Sequence, residues 1–133
     1  MNHIHDLIGV RIVCSFLSDV YDIVNLIKDS NKYIIKEEND YIKNPKKSGY
    51  RSLHLIVEVP IFLKNEKRYI KVEVQLRTIA MDFWASLEHK LRYKKNIDSK
   101  QAELLEQELV ECAEISAALD KRMEEIRNRI EQK

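Results

Sequence analysis

The sequence predicts an α+β domain in which strands and helices alternate first and one long helix follows. Two segments, 52–59 and 69–77, alternate apolar and polar residues, which is the period of a half-buried strand. Residues near the C-terminus instead repeat apolar side chains every three or four positions, which is the period of a helix. With 133 residues the chain can bury a single core, and only two glycines and two prolines interrupt its regular elements.

A strand and a helix are predicted first. Residues 7–16 form a nearly continuous β-branched run, which is typical of a buried strand. Ser18 or Asp19 is expected to cap a helix over residues 20–29, where apolar side chains follow helical spacing. A second, more polar strand is predicted over residues 33–42.

Two further strands show clear alternation, and a hairpin-like loop over residues 60–67 is expected to join them. In the first, one face carries Leu53, Leu55, Val57 and Val59, and the other carries Ser52, His54, Ile56 and Glu58. In the second, the apolar face is Ile70, Val72, Val74 and Leu76, and the polar face is Lys71, Glu73, Gln75 and Arg77. That polar face is either plain solvent exposure or the lining of an ionic cleft, and the spacing is compatible with both.

The remainder of the chain is predicted to be helical. Thr78 is placed to cap a helix over residues 79–95 with an apolar stripe of Phe83, Trp84, Leu87 and Leu91. Asp98 or Ser99 is expected to cap a last helix that ends near Glu131 and is roughly 50 Å long.

The last helix has an extended coiled-coil-like pattern. Its seam consists of Ala102, Leu105, Leu109, Cys112, Ser116, Leu119, Met123, Ile126 and Ile130. Such a helix either packs only on its own domain or also packs on a partner subunit. Because it is longer than a small sheet can cover, we favour the second interpretation. The predicted organisation is therefore a core over residues 1–97 and an oligomerisation helix over residues 98–133.

Composition narrows the class of protein. A net charge of +1 does not favour binding to long nucleic acids or to acidic membranes, and no apolar run is long enough to cross a bilayer. Cys14 and Cys112 fit no metal-binding spacing and lie in apolar patterns. We therefore expect reduced packing cysteines in a cytoplasmic protein.

The segment from Asp40 to His54, DYIKNPKKSGYRSLH, concentrates functional side chains at the entrance to a strand. It combines lysines, an arginine, a histidine, hydroxyl groups and an aromatic ring with a turn proline and glycine. This mixture suits a phosphorylated ligand with a ring, of which a nucleotide is the obvious candidate. The alternative interpretation is a solvated basic loop.

Two acidic residues are candidates for phosphoryl-transfer chemistry. Asp6 precedes the first strand and Glu73 lies on the polar face of a later one. Mg²⁺ needs only one or two protein carboxylates when substrate phosphates supply other ligands, and a carboxylate can activate a sugar hydroxyl as a base. Taken singly, each acid is also compatible with a structural or solvated role.

Three ordered motifs give the sequence a family resemblance. DLIGVRIV, DYIKNPKKSGYRSLH and VEVQLRT occur in the order and spacing of RelA/SpoT-type alarmone synthetase domains. The segment MDFWASLEHKLRYK and the long last helix resemble the small single-domain members. The resemblance implies a nucleotidyltransferase-like fold, with a mixed sheet of about four to five strands flanked by helices. It also implies transfer of pyrophosphate from ATP to the 3′-hydroxyl of GDP or GTP, and a homotetramer.

The resemblance implies a role for each motif position. Asp6 would hold Mg²⁺, Glu73 would be the base and a further metal contact, Tyr50 would stack on guanine, and Lys46 would contact acceptor phosphates. His54, Gln75 and Arg77 would line the same cleft. Asp82 would accept hydrogen bonds from guanine, or is a solvated helix acid.

One departure from the family pattern lies at the start of the chain. Members of the family carry a helical region and a basic strand that grip ATP upstream of the first motif, and only residues 1–5 stand there in this sequence. We therefore expect an N-terminally shortened synthetase domain with impaired ATP binding. The alternatives are a non-catalytic guanine-nucleotide-binding module and an oligomeric interaction protein that associates through its last helix.

Overall fold

A mixed four-stranded sheet with the order β1-β4-β3-β2 organises the computed structural model, which describes residues 8–92 and 98–132. Strand β1 runs parallel to β4, and the β4–β3 and β3–β2 pairs are antiparallel. In chain order the elements are β1 Ile8–Cys14, α1 Leu17–Asp29, β2 Ile34–Asp40, β3 Leu53–Leu63, β4 Glu66–Thr78, α2 Ile79–Arg92 and α3 Ser99–Glu131. The predicted α+β fold with a mixed sheet and a long last helix is confirmed.

The β3–β4 hairpin is longer than the sequence predicted. The two strands continue through the expected loop until Leu63 pairs with Glu66 around a two-residue turn. Pro60 does not interrupt β3, because β2 pairs with β3 only as far as Glu58. Beyond that point β3 has one free edge, where strands tolerate proline.

The core lies between one face of the sheet and helix α1. Five of the eight residues on the apolar faces predicted for β3 and β4 are buried there, with Leu55 and Leu76 fully inaccessible, and the other three are half-buried. They pack against Val20 and Val24 of α1. The alternation in the sequence therefore identified the buried side of both strands correctly, and the polar side of β3 and β4 is left to form a site.

Strand β1 is not the buried strand that its composition predicted. Ile8, Val10 and Val13 are exposed, and Cys14 is its one buried residue. β1 lies at the edge of the sheet and pairs on one side, with β4. An edge position, rather than the β-branched composition, decides its exposure.

The predicted cap of α1 is wrong. Phe16 is the N-cap residue and makes no capping hydrogen bond with its side chain. Ser18 and Asp19, which we expected to cap the helix, instead bind the guanidinium of Arg127, with the Asp19 carboxylate 3.2 Å from it. A tertiary contact with α3 therefore replaces the local cap.

Helix α2 begins as predicted but buries a different face. The Thr78 hydroxyl accepts a hydrogen bond from the Met81 amide at 3.2 Å, which caps the helix. Met81 and Trp84 are buried, whereas the other members of the predicted apolar stripe are exposed: Phe83, Leu87 and Leu91. Residues 93–95, also predicted to be helical, lie outside the described residues.

Helix α3 starts at the predicted cap, where the Asp98 carboxylate accepts from the Gln101 amide at 2.8 Å. Its buried residues are Ala113 and Asp120, neither of which belongs to the predicted seam. Several seam residues are exposed instead: Leu105, Cys112, Leu119, Met123 and Ile130. The expectation that Cys112 is a packing residue is therefore wrong, while Cys14 is buried as predicted, and both thiols are free.

Candidate functional site

A tight turn brings Lys46 and Tyr50 together before β3 begins. The Lys46 amide donates to the Tyr50 carbonyl at 3.0 Å, and the Gly49 amide donates to the Lys46 carbonyl at 2.8 Å. Gly49 has a φ of +96°, a conformation that side-chain-bearing residues rarely adopt. The turn therefore depends on glycine at this position, and it sets the direction in which Tyr50 leaves the loop.

The Tyr50 hydroxyl is held at both sides by polar side chains of the sheet. It lies 2.9 Å from His54 Nε2 on β3 and accepts a 2.8 Å hydrogen bond from the Arg77 guanidinium on β4. Arg77 is only 3% exposed, which makes it a fixed donor. The phenol ring is consequently anchored at its tip, and the Arg77 guanidinium lies 5.5 Å from the ring centroid.

A chain of hydrogen bonds continues from Arg77 along the polar face of β4. Arg77 donates to Gln75 Oε1 at 2.9 Å, and Gln75 Nε2 donates to Glu73 Oε1 at 2.9 Å. Arg77 also pairs with Asp82 of α2 at 3.3 Å, and Arg11 of β1 reaches the same carboxylate oxygen at 3.5 Å. Glu73 and Tyr50 therefore belong to one connected polar network.

Lys46 and Tyr41 complete the aromatic side of the site. The Lys46 ammonium lies 4.7 Å from the Tyr41 ring centroid and 5.5 Å from that of Tyr50. Both tyrosine rings meet His54 edge to face, with centroid distances of 5.3 Å and 5.7 Å. A cation held against aromatic rings suits a ligand that combines an anion with a planar base.

An open cavity of about 630 Å³ is lined by the Tyr50, His54, Gln75 and Arg77 part of this network. That volume is in the usual range for small-molecule sites. Five of its lining side chains are cationic: Arg11, Lys46, Arg77, Lys90 and Arg92. The other lining residues are Ser48, Tyr50, His54, Gln75, Ala85, Ser86, Glu88 and His89. The excess of cations favours an anionic ligand such as a nucleotide phosphate.

His54 is poised as a neutral imidazole. Burial lowers its pKa below the ordinary value, and the nearby Arg77 and Lys46 cations lower it further, whereas the Glu73 carboxylate opposes them. A neutral ring accepts a hydrogen bond at one nitrogen. It can therefore accept a hydrogen bond from the Tyr50 hydroxyl while that hydroxyl accepts one from Arg77.

The described residues fit a metal held jointly with a ligand rather than by the protein alone. Within residues 8–92 and 98–132, no three His, Cys, Asp or Glu side chains group closely enough to hold a metal ion. The Glu73 carboxylate is an oxygen donor of the hard type that Mg²⁺ prefers. Asp6, the other predicted ligand, lies outside the described residues.

Six of the seven predicted site residues within the described part of the chain share one hydrogen-bonded network, and Lys46 lies against the Tyr50 ring. Sequence reasoning did not single out Arg11 or Tyr41. Arg11 was visible within the first motif, DLIGVRIV, and the parallel register sets it beside Gln75. No sequence pattern marked Tyr41 as a site residue, because its contacts with His54 and Lys46 depend on how the loop folds.

Comparison with protein families identifies residues 1–98 as the region found in RelA and SpoT proteins. That match covers well over half of the chain. The chain belongs to the RelA/SpoT family. This confirms the resemblance that the three motifs predicted.

Two relatives of known name from Bacillus subtilis align over nearly all of the chain. The GTP pyrophosphokinase YwaC is 53% identical over 129 residues, which cover 97% of the chain and 60% of YwaC. The GTP pyrophosphokinase YjbM is 36% identical over 129 residues, which cover 96% of the chain and 59% of YjbM. The chain thus spans about three fifths of the length of these relatives.

Solved structures of the same family share the fold. The small alarmone synthetase 2 of B. subtilis superposes with a TM-score of 0.83 at 51% identity, over 96% of this chain and 68% of that one. The small alarmone synthetase 1 of B. subtilis, bound to its product pppGpp, gives a TM-score of 0.81 at 35% identity, over 93% of this chain and 62% of that one. Every helix within residues 8–92 and 98–132 is too short or too polar for a membrane span.

Proposed function

We propose that this chain carries the acceptor-nucleotide half of a GTP pyrophosphokinase, which transfers pyrophosphate from ATP to the ribose 3′-hydroxyl of GDP or GTP. The observation that carries the proposal is the continuous network from Tyr50 through Arg77 and Gln75 to Glu73. This network connects the Tyr50 ring, which can stack on a base, with the Glu73 carboxylate, which can activate a hydroxyl group. The names of the B. subtilis relatives support the same reaction.

The guanine base is proposed to stack on Tyr50. The hydroxyl of that ring is held by His54 and Arg77, so the ring has little freedom left to lose on binding. Lys46, which lies against the same ring, is positioned to contact the phosphates of the acceptor. Asp82 is the proposed acceptor for guanine N–H groups, with its orientation set by Arg11 and Arg77.

Glu73 is the proposed general base. Its carboxylate would take the proton of the 3′-hydroxyl as that oxygen attacks the β-phosphorus of ATP, and AMP would leave with the electron pair of the broken P–O bond. Gln75 donates to Glu73 Oε1 and fixes its orientation. Mg²⁺, which we propose to be held by Glu73, Asp6 and the substrate phosphates, would neutralise phosphate charge. We place the reaction in the bacterial cytoplasm, where the nucleotide substrates are found.

Helix α3 is proposed to join copies of the chain into a homo-oligomer, a tetramer if the family resemblance extends to assembly. The support is a row of large apolar side chains that the chain itself leaves exposed: Leu105, Ile115, Leu119, Met123 and Ile130. Large exposed apolar side chains that recur along one helix favour an interaction face. The helix over residues 98–133 would then serve assembly, and the core over residues 1–97 would carry the side chains that contact the substrates.

Incubation of the chain with ATP, GDP and Mg²⁺, followed by chromatography of the nucleotides, tests the proposed reaction. We expect ppGpp from the wild-type chain and a loss of about a hundredfold or more in rate for Glu73→Gln, because the amide is not a base. Glu58→Gln is the matched control. Glu58 of β3 lies on the same face of the sheet as Glu73 of β4, but it pairs with Lys36.

Two outcomes would contradict the enzymatic proposal. Turnover that survives in Glu73→Gln would remove this residue from its role as the base. Binding of GDP without any product would favour the guanine-nucleotide-binding module instead.

A further inference from the structure

Helix α3 carries a buried carboxylate beneath the loop that bears Tyr50. Asp120 is only 6% exposed, which is unusual for an acidic residue on a surface helix. One of its oxygens accepts a 2.7 Å hydrogen bond from the Thr78 hydroxyl and lies 3.7 Å from the Arg51 guanidinium. Arg51, itself buried, donates from its other terminal nitrogen to Ser116 Oγ at 2.9 Å. We call Arg51, Thr78, Ser116 and Asp120 the Asp120 cluster.

Two members of the Asp120 cluster are the chain neighbours of site residues. Arg51 follows Tyr50, and Thr78 follows Arg77, whose guanidinium donates to the Tyr50 hydroxyl. The Asp120 carboxylate is therefore linked to both segments that hold the Tyr50 ring. Since Thr78 also caps α2, the same carboxylate supports the start of the helix that bears Asp82.

A second set of contacts seats the loop on α3. A Cβ atom on Gly49 would lie 2.9 Å from Ala113 Cβ and 3.3 Å from Val110 Cα, so the loop backbone rests directly on the helix. Trp84 of α2 donates from Nε1 to the Leu109 carbonyl of α3 at 2.8 Å. The loop and α2 thus share one supporting surface, about three turns of α3.

We propose that α3 positions the acceptor-nucleotide site through the Asp120 cluster, and that Asp120 is a positioning residue for guanine-nucleotide binding. Asp120 acts through Arg51 and Thr78 rather than on the ligand. Removing its charge leaves the buried Arg51 cation without a counter-ion, which is strongly unfavourable unless the side chain moves. Such a movement would carry Tyr50 with it, and displacements of about 1 Å are enough to weaken a positioned site.

This inference rests on the proposed binding of a guanine nucleotide, so the test measures the affinity for GDP directly by calorimetry. We expect Asp120→Asn to bind GDP about tenfold more weakly than the wild-type chain, and Ser116→Ala about threefold more weakly, since it loses one hydrogen bond to Arg51. Ser116→Thr, which keeps the hydroxyl, is expected to bind like the wild type. Glu125→Gln removes an exposed carboxylate from the same helix and is the matched control for charge.

Urea unfolding of each variant shows which ones are folded at the temperature of the titration. Equal GDP affinities for folded Asp120→Asn and Glu125→Gln would overturn the positioning role. If Asp120→Asn does not fold, equal affinities for Ser116→Ala and Ser116→Thr would overturn it. Absence of GDP binding by the wild-type chain would overturn the proposed function and this inference with it. If the wild-type chain binds GDP, the proposed binding stands, and the variants then test the positioning role alone.

Discussion

His54 connects the electrostatics of the site to a measurable titration. Its ring lies between the Tyr50 hydroxyl and the charges of Glu73, Arg77 and Lys46. Burial lowers its pKa, so the unfolded chain binds this proton more tightly than the folded protein does. The contribution of His54 to stability is therefore present above about pH 6.5 and is lost as the pH falls through its folded pKa.

We predict that the His54 ring titrates below pH 6.5 in an NMR experiment and that Glu73→Gln lowers its midpoint further. The reason is that the Glu73 carboxylate raises the pKa of His54, so its removal leaves the opposing cations uncompensated. Glu58→Gln, on the same face of β3, is expected to leave the midpoint unchanged. A midpoint at or above 6.5, or one that Glu73→Gln does not move, would contradict this description of the site.

At the residue scale, the sequence identified the motif side chains but not those that hold them. Gln75 and Arg77 were predictable because they alternate with buried residues on β4. Asp120 was not, because an acidic residue on a long charged helix is normally solvated and only the fold brings Thr78 and Arg51 to it. Tertiary partners, rather than local pattern, decide which acidic side chain is buried.

At the scale of elements, the turn before β3 depends on the absence of a side chain. We predict that Gly49→Ala lowers the free energy of unfolding by about 2 kcal/mol or more, because it combines an unfavourable positive φ with overlap against Ala113. Gly9→Ala is the matched control, since nothing lies within 4 Å of a Cβ at that position. It is expected to change stability by less than about 0.5 kcal/mol.

Urea denaturation of the two variants gives this comparison directly. If Gly49→Ala were as stable as Gly9→Ala, the loop would not be seated on α3 as described. The GDP affinity of Gly49→Ala is expected to fall as well, because Tyr50 is the next residue.

Strand and helix positions were largely predictable, whereas the faces that helices bury were not. Alternation fixes two faces of a strand, and helix α1 covers the apolar one, as the burial of Leu55 and Val74 shows. A helix has more than two faces that could be buried. Helix α2 buries Met81 and exposes Phe83, because the direction from which α3 and the sheet approach is set by the whole fold. The predicted burial of β1 was wrong for a related reason, since composition does not reveal that a strand lies at the edge of a sheet.

At the scale of the whole molecule, the exposed apolar row of α3 predicts self-association. We expect the wild-type chain to sediment as a multiple of its 15.8 kDa mass, and Leu119→Lys to sediment with a smaller mass because it places a charge in the proposed interface. Leu26→Lys on α1 is the matched control, since Leu26 is 70% exposed but lies on another helix. A wild-type chain that sediments at 15.8 kDa would contradict the assembly.

The measurement that tests the central claim most directly is the affinity of the chain for GDP with and without the Tyr50 ring. Calorimetric titration should give binding to the wild-type chain and binding about tenfold weaker to Tyr50→Ala, since stacking of one base on one aromatic ring is worth about that much. Tyr69→Ala, an exposed tyrosine near the far end of the hairpin, should bind like the wild type. Equal affinity of the wild-type and Tyr50→Ala chains for GDP would contradict the acceptor site.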